Sequence, residues 1–285
     1  MNIDFMKSRK KALVLSAVVV IASVILLLTR GLNLGIDFTG GNLLQLKFQT
    51  PVEVGELRDI LSDVGESQSV IQAYSEKDFI IRMNAEEEAA RKEVLQAVRD
   101  KHPDVELLRF EKVGPVVGEQ LRKEAFIAVC LALMGILAYI TIRFQFRFAV
   151  VSVLALLHDS LITLGIFSLT GREISLSFIA AILTIVGYSL NDTIVVLDRV
   201  RENWKHLKPW GIVKLVNVSL NQTLSRTVNT SVTTFLPVLA FFLLGGPVLA
   251  NFSLALLIGI VVGTYSSIFI AGSLLSEWYE RSTTR

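Results

Sequence analysis

The chain has 285 residues, 52% of them apolar, with a formal net charge of +2 and a single cysteine, Cys130. Apolar residues in such number, gathered in blocks rather than spread at core periodicity, exclude an ordinary soluble globule. The near-neutral balance gives no nucleic-acid surface, and a lone cysteine excludes both an intrachain disulfide and a Cys-based metal cluster.

Six segments, 12–28, 125–142, 148–169, 174–197, 228–244 and 252–275, are each near the ~20 residues that cross the hydrocarbon core. They predict a polytopic α-helical membrane protein in three parts. Residues 1–29 are an N-terminus and first span, 30–123 a domain outside the membrane, and 124–285 a five-helix membrane domain. The first span follows Lys7, Arg9, Lys10 and Lys11. It reads as an uncleaved anchor, because its apolar run is too long for a signal-peptide core and no A-x-A site follows. Basic residues also gather at Arg143 and Arg147, and at Arg199, Arg201, Lys205, Lys208 and Lys214, whereas the opposite short connections hold only Arg172. The positive-inside rule then makes both termini cytoplasmic and residues 30–123 external, periplasmic in a bacterium.

Within 30–123, Leu43, Leu46 and Phe48 begin a strand. Residues 54–64 carry helical spacing, with Val54, Leu57, Leu61 and Val64 on one side. Residues 69–74 and 79–83 pair across a polar turn, 86–101 form a charged helix with Val94, Leu95 and Val98 inward, and 105–110 close as a strand. The order βαββαβ is the ferredoxin-like pattern. No nucleophile motif or metal-ligand spacing occurs there, which favours a binding or mechanical module over a catalytic one. Between spans four and five, Trp204, Leu207, Trp210, Val213 and Leu215 predict a short amphipathic helix at the cytoplasmic interface.

The charges inside the spans carry the functional signal. Asp192 lies in span four, and a carboxylate there costs about 2.5–3.5 kcal/mol, so it marks an ion or proton route by default. Arg226, near the start of span five, falls at a similar depth when residues are counted at 1.5 Å each, which makes it the candidate partner. Thr223, Thr227, Thr230, Thr233 and Thr234 share a face with Arg226 at spacings of three and four. Such a stripe either lines a hydrated path or glues helices together. His158 and Asp159 in span three are a further pair, either a proton relay, an internally satisfied structural couple or a contact to another subunit. A carboxylate beside a guanidinium keeps its charge, and separated from it takes up a proton, so helix movement at Asp192 and Arg226 can couple to proton transfer.

Two glycine-containing elements, Gly35-Ile36-Asp37-Phe38-Thr39-Gly40-Gly41 and Val113-Gly114-Pro115-Val116-Val117-Gly118, resemble the SecD/SecF family of the RND superfamily. Gly187-Tyr188-Ser189-Leu190-Asn191-Asp192 and Ser225-Arg226-Thr227-Val228-Asn229-Thr230 resemble its SecF branch. The resemblance implies a non-enzymatic accessory subunit of bacterial protein export in the cytoplasmic membrane. It would pair with SecD, work beside the SecYEG channel with YajC and YidC, and use the proton motive force to promote preprotein translocation. It makes Asp192 and Arg226 the proton-pathway residues, with Asn191, Thr227, Thr230, His158 and Asp159 as supporting polar groups. The glycines Gly35, Gly40 and Gly41, with Asp37, would allow a tight exit from the membrane suited to hinge motion, or form a plain turn. No cofactor is implied; the coupling ion is a proton, although carboxylate and hydroxyls serve sodium equally.

Other classes fit less well. An RND-type small-molecule or lipid exporter wants two similar halves, and this chain holds one set of spans. An intramembrane aspartyl protease would use Asp159 and Asp192, but no Gly-x-Gly-Asp motif accompanies them. None of His102, His158 and His206 opens an H-E-x-x-H zinc-protease motif. A passive scaffold of the translocase is the remaining alternative.

Overall fold

Residues 9–29 contain neither glycine nor proline, and in hydrocarbon a backbone satisfies its N–H and C=O groups only internally. They form one unbroken helix, α1 (Arg9–Thr29). The computed structural model describes residues 3–83 and 88–283, the side chains of residues 88, 89, 207, 208 and 283 excepted. They divide into a helical unit, running up to Asn33 and again from Ile127, and an αβ unit, Leu34–Phe126.

The αβ unit starts with a one-turn helix, Ile36–Thr39, then β1 (Gly41–Lys47), α2 (Val54–Asp63), β2 (Val70–Ala73), β3 (Asp78–Met83), α3 (Glu88–Lys101) and β4 (Glu106–Val113). The strands form one antiparallel sheet in the order β2-β3-β1-β4. Strand alternation sends Leu44, Leu46, Phe79, Ile81 and Met83 to one face, where they pack with Leu57, Ile60, Leu61, Val94 and Val98. The other face buries a smaller set, Ile36, Leu43 and Ile80. In α2 the inward face is Leu57, Ile60 and Leu61, while Val54, expected inside, is 40% exposed. Val54 is the first residue of its helix, and the buried face begins one turn later, at Leu57. Residues 86–87, with which the expected charged helix opens, lie outside the described residues.

Gly40 and Gly41 are both left-handed, with φ of 75° and 120°. A Cβ on Gly40 would stand 2.9 Å from Pro115 Cα, and one on Gly118 3.0 Å from the Gly40 nitrogen. The two glycine elements are therefore in backbone contact, which explains why both are built from glycine. Arg122 fastens the same corner by donating to the Phe38 carbonyl at 2.8 Å.

The helical unit continues with α4 (Pro115–Arg143), whose proline occupies the first helical position, then α5 (Phe146–Thr170), α6 (Leu176–Leu207), α7 (Ile212–Leu244) and α8 (Gly246–Tyr265). A π-helical turn, Ser266–Ala271, leads into α9 (Gly272–Thr283). Among the described residues, six helical stretches are long and apolar enough to cross a membrane: Met6–Thr29, Pro115–Arg143, Phe146–Thr170, Leu176–His206, Ile212–Leu244 and Gly246–Ser282. The protein is an integral membrane protein. In α5 and in Gly246–Ser282, 56% of the most apolar window is buried, against 17% in α1 and α7 and 6% in α4. The inner helices are thus α5, α6 and α8, while α1, α4 and α7 turn apolar faces outward.

The amphipathic connecting helix does not exist as a separate element. Nothing between Asp198 and His206 breaks a helix, so α6 runs on to Leu207, and only Pro209 and Gly211 force the turn before α7. Trp204 consequently lies on α6, its ring 4.7 Å from that of Tyr279. Trp210 is exposed, with the Lys214 ammonium 4.3 Å from its ring centre. At this end Asn217 and Asn221, one turn apart on α7, bond the main chain of Ile3 and Met6 and hold the N-terminal segment against the bundle.

Gly40→Ala is expected to destabilise the αβ unit by about 1–3 kcal/mol, through strain and the Pro115 clash. Gly55→Ala, inside α2 with open space around it, is expected to gain about 0.5–1 kcal/mol. Limited proteolysis of the full-length protein, scoring cuts within 34–126, should rise for the first variant and fall for the second.

Candidate functional site

Successive residues on a helix lie about 100° apart, so pairs at i, i+4 share a stripe and adjacent pairs define neighbouring stripes. On α6, Ser189 and Thr193 form one polar stripe and Tyr188 and Asp192 the next. The first faces α5 and the π-turn. The second faces α7.

The first stripe meets Asp159, which is fully buried on α5. Its Oδ2 accepts from Ser189 Oγ at 2.6 Å and from Ser266 Oγ at 2.8 Å, and its Oδ1 lies 2.8 Å from His158 Nδ1. Three donors thus converge on one carboxylate from α5, α6 and the π-turn. A hydrogen bond to a charged group is worth about 1.5–3 kcal/mol, so three offset the cost of taking the charge out of water. One turn on, Thr193 Oγ1 and Ser267 Oγ share a hydrogen bond of 3.0 Å. Gly263 makes this proximity possible, since a Cβ there would sit 3.0 Å from Ser189 Cβ. His158 Nε2 is buried with no hydrogen-bond partner among the described residues, and its ring lies 6.3 Å from that of Tyr265. The His158–Asp159 pair is thus tied to its neighbours through the carboxylate, and one ring nitrogen is left unbonded.

Asp192 contrasts with it. The side chain is 2% exposed, yet its Oδ2 has no hydrogen-bond partner among the described residues. Ser231 on α7 and the charge of Arg226 act on it from across the helix interface. Among the described residues no ion pair within 4 Å joins Asp192 to Arg226, whose side chain is exposed on the outside of the bundle. The two residues therefore lie on facing helices without making the contact that their depths suggested. The Tyr188 hydroxyl is likewise buried and unbonded next to the same α7 surface.

The threonine stripe of α7 resolves differently from its sequence pattern. Thr223, Thr230, Thr233 and Thr234 all donate back to carbonyls of their own helix, at 2.8–3.0 Å. Thr227 is buried with a hydroxyl that no described residue bonds. Among the described residues, two hydroxyls of α7 do reach other helices: Ser231, 2.7 Å from Thr264 of α8, and Ser219, which accepts from Asn203 Nδ2 of α6 at 2.9 Å. Asn191 is exposed and points away from Asp192. Gly35, Asp37, Gly40 and Gly41 belong to the αβ unit, where they build the turn into β1.

Sequence reasoning missed Ser189, Ser231, Thr264, Ser266 and Ser267 as members of these networks. The usable signal was the Ser266-Ser267 pair interrupting an otherwise apolar run. Among the described residues, no three His, Cys, Asp or Glu side chains are grouped to hold a metal ion.

The geometry can be set beside known proteins. A family model described as "Protein export membrane protein SecD/SecF, C-terminal" matches residues 93–281, and one for the "SecD/SecF GG Motif" matches residues 25–52, which contain Gly40 and Gly41. Protein translocase subunit SecF of Desulfurispirillum indicum is 47% identical, aligning with 98% of this chain and 92% of its own length. SecF of Pseudomonas aeruginosa is 41% identical over 96% of this chain and 90% of its own. The crystal structure of SecDF, a translocon-associated membrane protein from Thermus thermophilus, matches with a TM-score of 0.94 at 41% identity. That match covers 99% of this chain but only 39% of the SecDF chain. With one family model spanning 93–281 and relatives above 40% identity along nearly their whole length, the chain belongs to the SecD/SecF family of protein export membrane proteins.

Proposed function

We propose that this chain is the SecF-type subunit of the Sec translocase accessory apparatus, and that it couples ion movement through Asp192 to preprotein translocation across the bacterial cytoplasmic membrane. The observation that carries this is Asp192 itself. It is a buried carboxylate on α6 with an unbonded oxygen, facing α7, whose Arg226 acts on it without pairing to it. A group so placed can take up or release a proton when α6 and α7 shift, because a small movement decides whether the guanidinium reaches it. The membrane potential supplies on the order of 2.3 kcal/mol per charge per 100 mV, enough to bias such a two-state element. Thr227 and Thr230 flank Arg226 on α7 and are the supporting hydroxyls of this path. Asn191, which faces outward, is left for contact with another chain. The role is transport, as in the translocase subunits it resembles, rather than catalysis.

SecD is the proposed partner. In the SecDF of Thermus thermophilus the part that matches this chain amounts to 35% of the protein, so the two-component arrangement occurs there as one polypeptide. SecYEG, YajC and YidC complete the proposed surroundings. The αβ unit, with its four antiparallel strands in the order β2-β3-β1-β4 and two helices, is proposed to be a ferredoxin-like domain on the periplasmic side, with both termini cytoplasmic. The basic residues at Lys7, Arg9, Lys10 and Lys11 and in the α6–α7 connection support that orientation.

Two experiments test this reading. In vesicles holding this chain with SecD and SecYEG, preprotein translocation should be stimulated by a proton gradient. Asp192→Asn should reduce it to the level seen without a gradient while the complex still assembles; a sodium gradient run in parallel identifies the coupling ion. Stimulation that survives in Asp192→Asn would move the coupling site elsewhere. For orientation, a Cys130→Ser background carrying Gln68→Cys should react with an impermeant maleimide in spheroplasts. Lys205→Cys should react only after the membrane is opened.

A further inference from the structure

We infer that Asp159 is a positioning residue for Asp192: by clamping Ser189 of α6 against the π-turn at Ser266, it sets the rotation of α6 that presents Asp192 to α7. This deepens the reading of Asp192 above, and depends on it only for the consequence, since the geometry stands by itself.

The two stripes of α6 make the connection. Ser189 and Asp192 are three residues apart, within one helical turn, so whatever fixes the azimuth of Ser189 fixes that of Asp192. Ser189 is held by Asp159 Oδ2 at 2.6 Å, and the same oxygen takes Ser266 at 2.8 Å, so a single carboxylate oxygen bridges α6 and the π-turn. Ser266 Oγ is also 3.1 Å from the Gly263 carbonyl, which ties the bridge to the end of α8. There is little slack in this contact. A Cβ on Gly263 would meet Ser189 Cβ at 3.0 Å and Asp159 Oδ2 at 3.5 Å. One turn further along α6, the Thr193–Ser267 bond repeats the attachment.

The π-turn itself makes the arrangement possible. Such turns are rare, widen the helix and recur at functional positions. Here two consecutive serines reach two different helices, Ser266 to Asp159 on α5 and Ser267 to Thr193 on α6. No comparable clamp holds the other stripe. Neither Tyr188 Oη nor Asp192 Oδ2 has a hydrogen-bond partner among the described residues. The hydrogen bonds that fix the rotation of this turn of α6 therefore come from behind, through Asp159 and the π-turn.

The test reads the presentation of Asp192 directly. The full-length chain in native membranes is treated with a hydrophobic carbodiimide, which modifies protonated carboxyls in apolar surroundings. Modification at Asp192 is quantified by peptide mass spectrometry, and thermal stability is measured on the same samples. Asp159→Ala and Ser189→Ala are each expected to raise modification of Asp192 by about fivefold, the size of change that one lost hydrogen bond gives. The double variant should go no further than Asp159→Ala alone, because Asp159→Ala already removes the one contact that Ser189→Ala breaks. Thr163→Ala is the structural control: this fully buried residue on α5 bonds only the Asp159 main-chain carbonyl, at 2.8 Å, and should lower stability without moving the labelling. The inference is overturned if Asp159→Ala lowers stability while labelling of Asp192 stays at the wild-type level. It is equally overturned if Thr163→Ala raises the labelling as much, or if the two single effects add. A failed translocation test of Asp192→Asn would leave this result untouched, since labelling needs no transport.

Discussion

Hydrocarbon offers a charged group nothing to bond to, and the polar architecture of the helical unit follows from that one constraint. Asp159 on α5 and Asp192 on α6, both buried, meet it in opposite ways. Asp159 collects three donors from three elements, and their combined strength exceeds the cost of about 2.5–3.5 kcal/mol for a mid-helix carboxylate. Asp192, equally shielded from solvent, leaves an oxygen unbonded. The first arrangement is a low-energy fixture. The second leaves an acceptor unbonded in apolar surroundings, and under the proposed function that is where a change of protonation state would act.

The hydroxyls show the same economy. A serine or threonine in a membrane helix can always bond the carbonyl one turn back, so its presence alone does not make a path. Most of the α7 threonines do just this. Cross-helix bonds form only where backbones approach closely, and the approach is set by small residues. Gly263 brings α8 to Ser189, and a Cβ on Gly259 would meet Ile185 side-chain carbons at 2.3–2.7 Å. The small residues of α8 decide where polar contact occurs, and the polar residues follow.

This explains what could be read from the chain and what could not. The six spans were legible because length and apolarity are local properties, and a hydrocarbon slab tests little else. So were the individual strands and helices of the αβ unit, whose alternation and helical spacing were visible residue by residue. The buried charges were legible as exceptions to an apolar background. What failed were statements about which neighbour a side chain meets. An Asp192–Arg226 ion pair followed from matched depth, but depth fixes one coordinate, and rotation of α7 turns Arg226 outward instead. The connecting helix failed for a simpler reason: the tryptophans suggested an interface, while the absence of any breaker before Pro209 already required α6 to continue. The role of Ser266 depends on a π-turn, which no local pattern announces.

The outward rotation of α7 carries a further consequence for assembly. Ser225, Arg226, Asn229 and Thr233 are all exposed and spaced to form one stripe along its outer side. Leu244, at the far end of the helix, lies 18 residues beyond Arg226, or about 27 Å at 1.5 Å per residue, so Arg226 stands near one edge of a hydrocarbon core about 30 Å thick. A guanidinium at that depth can reach headgroups, but Asn229 lies almost a turn deeper, and its short amide cannot follow. Lipid is therefore a poor covering for this stripe, whereas the apolar outer faces of α1 and α4 need nothing better. Under the proposed pairing, α7 is the side on which SecD would pack. Its polar groups would then meet Arg226 and Asn229 directly in front of the α6 face that carries Asp192, and the charge of Arg226 would be shared between a partner's acceptor and Asp192 behind it. The unformed ion pair within this chain is what such sharing requires, because an Arg226 already committed to Asp192 would have nothing left to exchange.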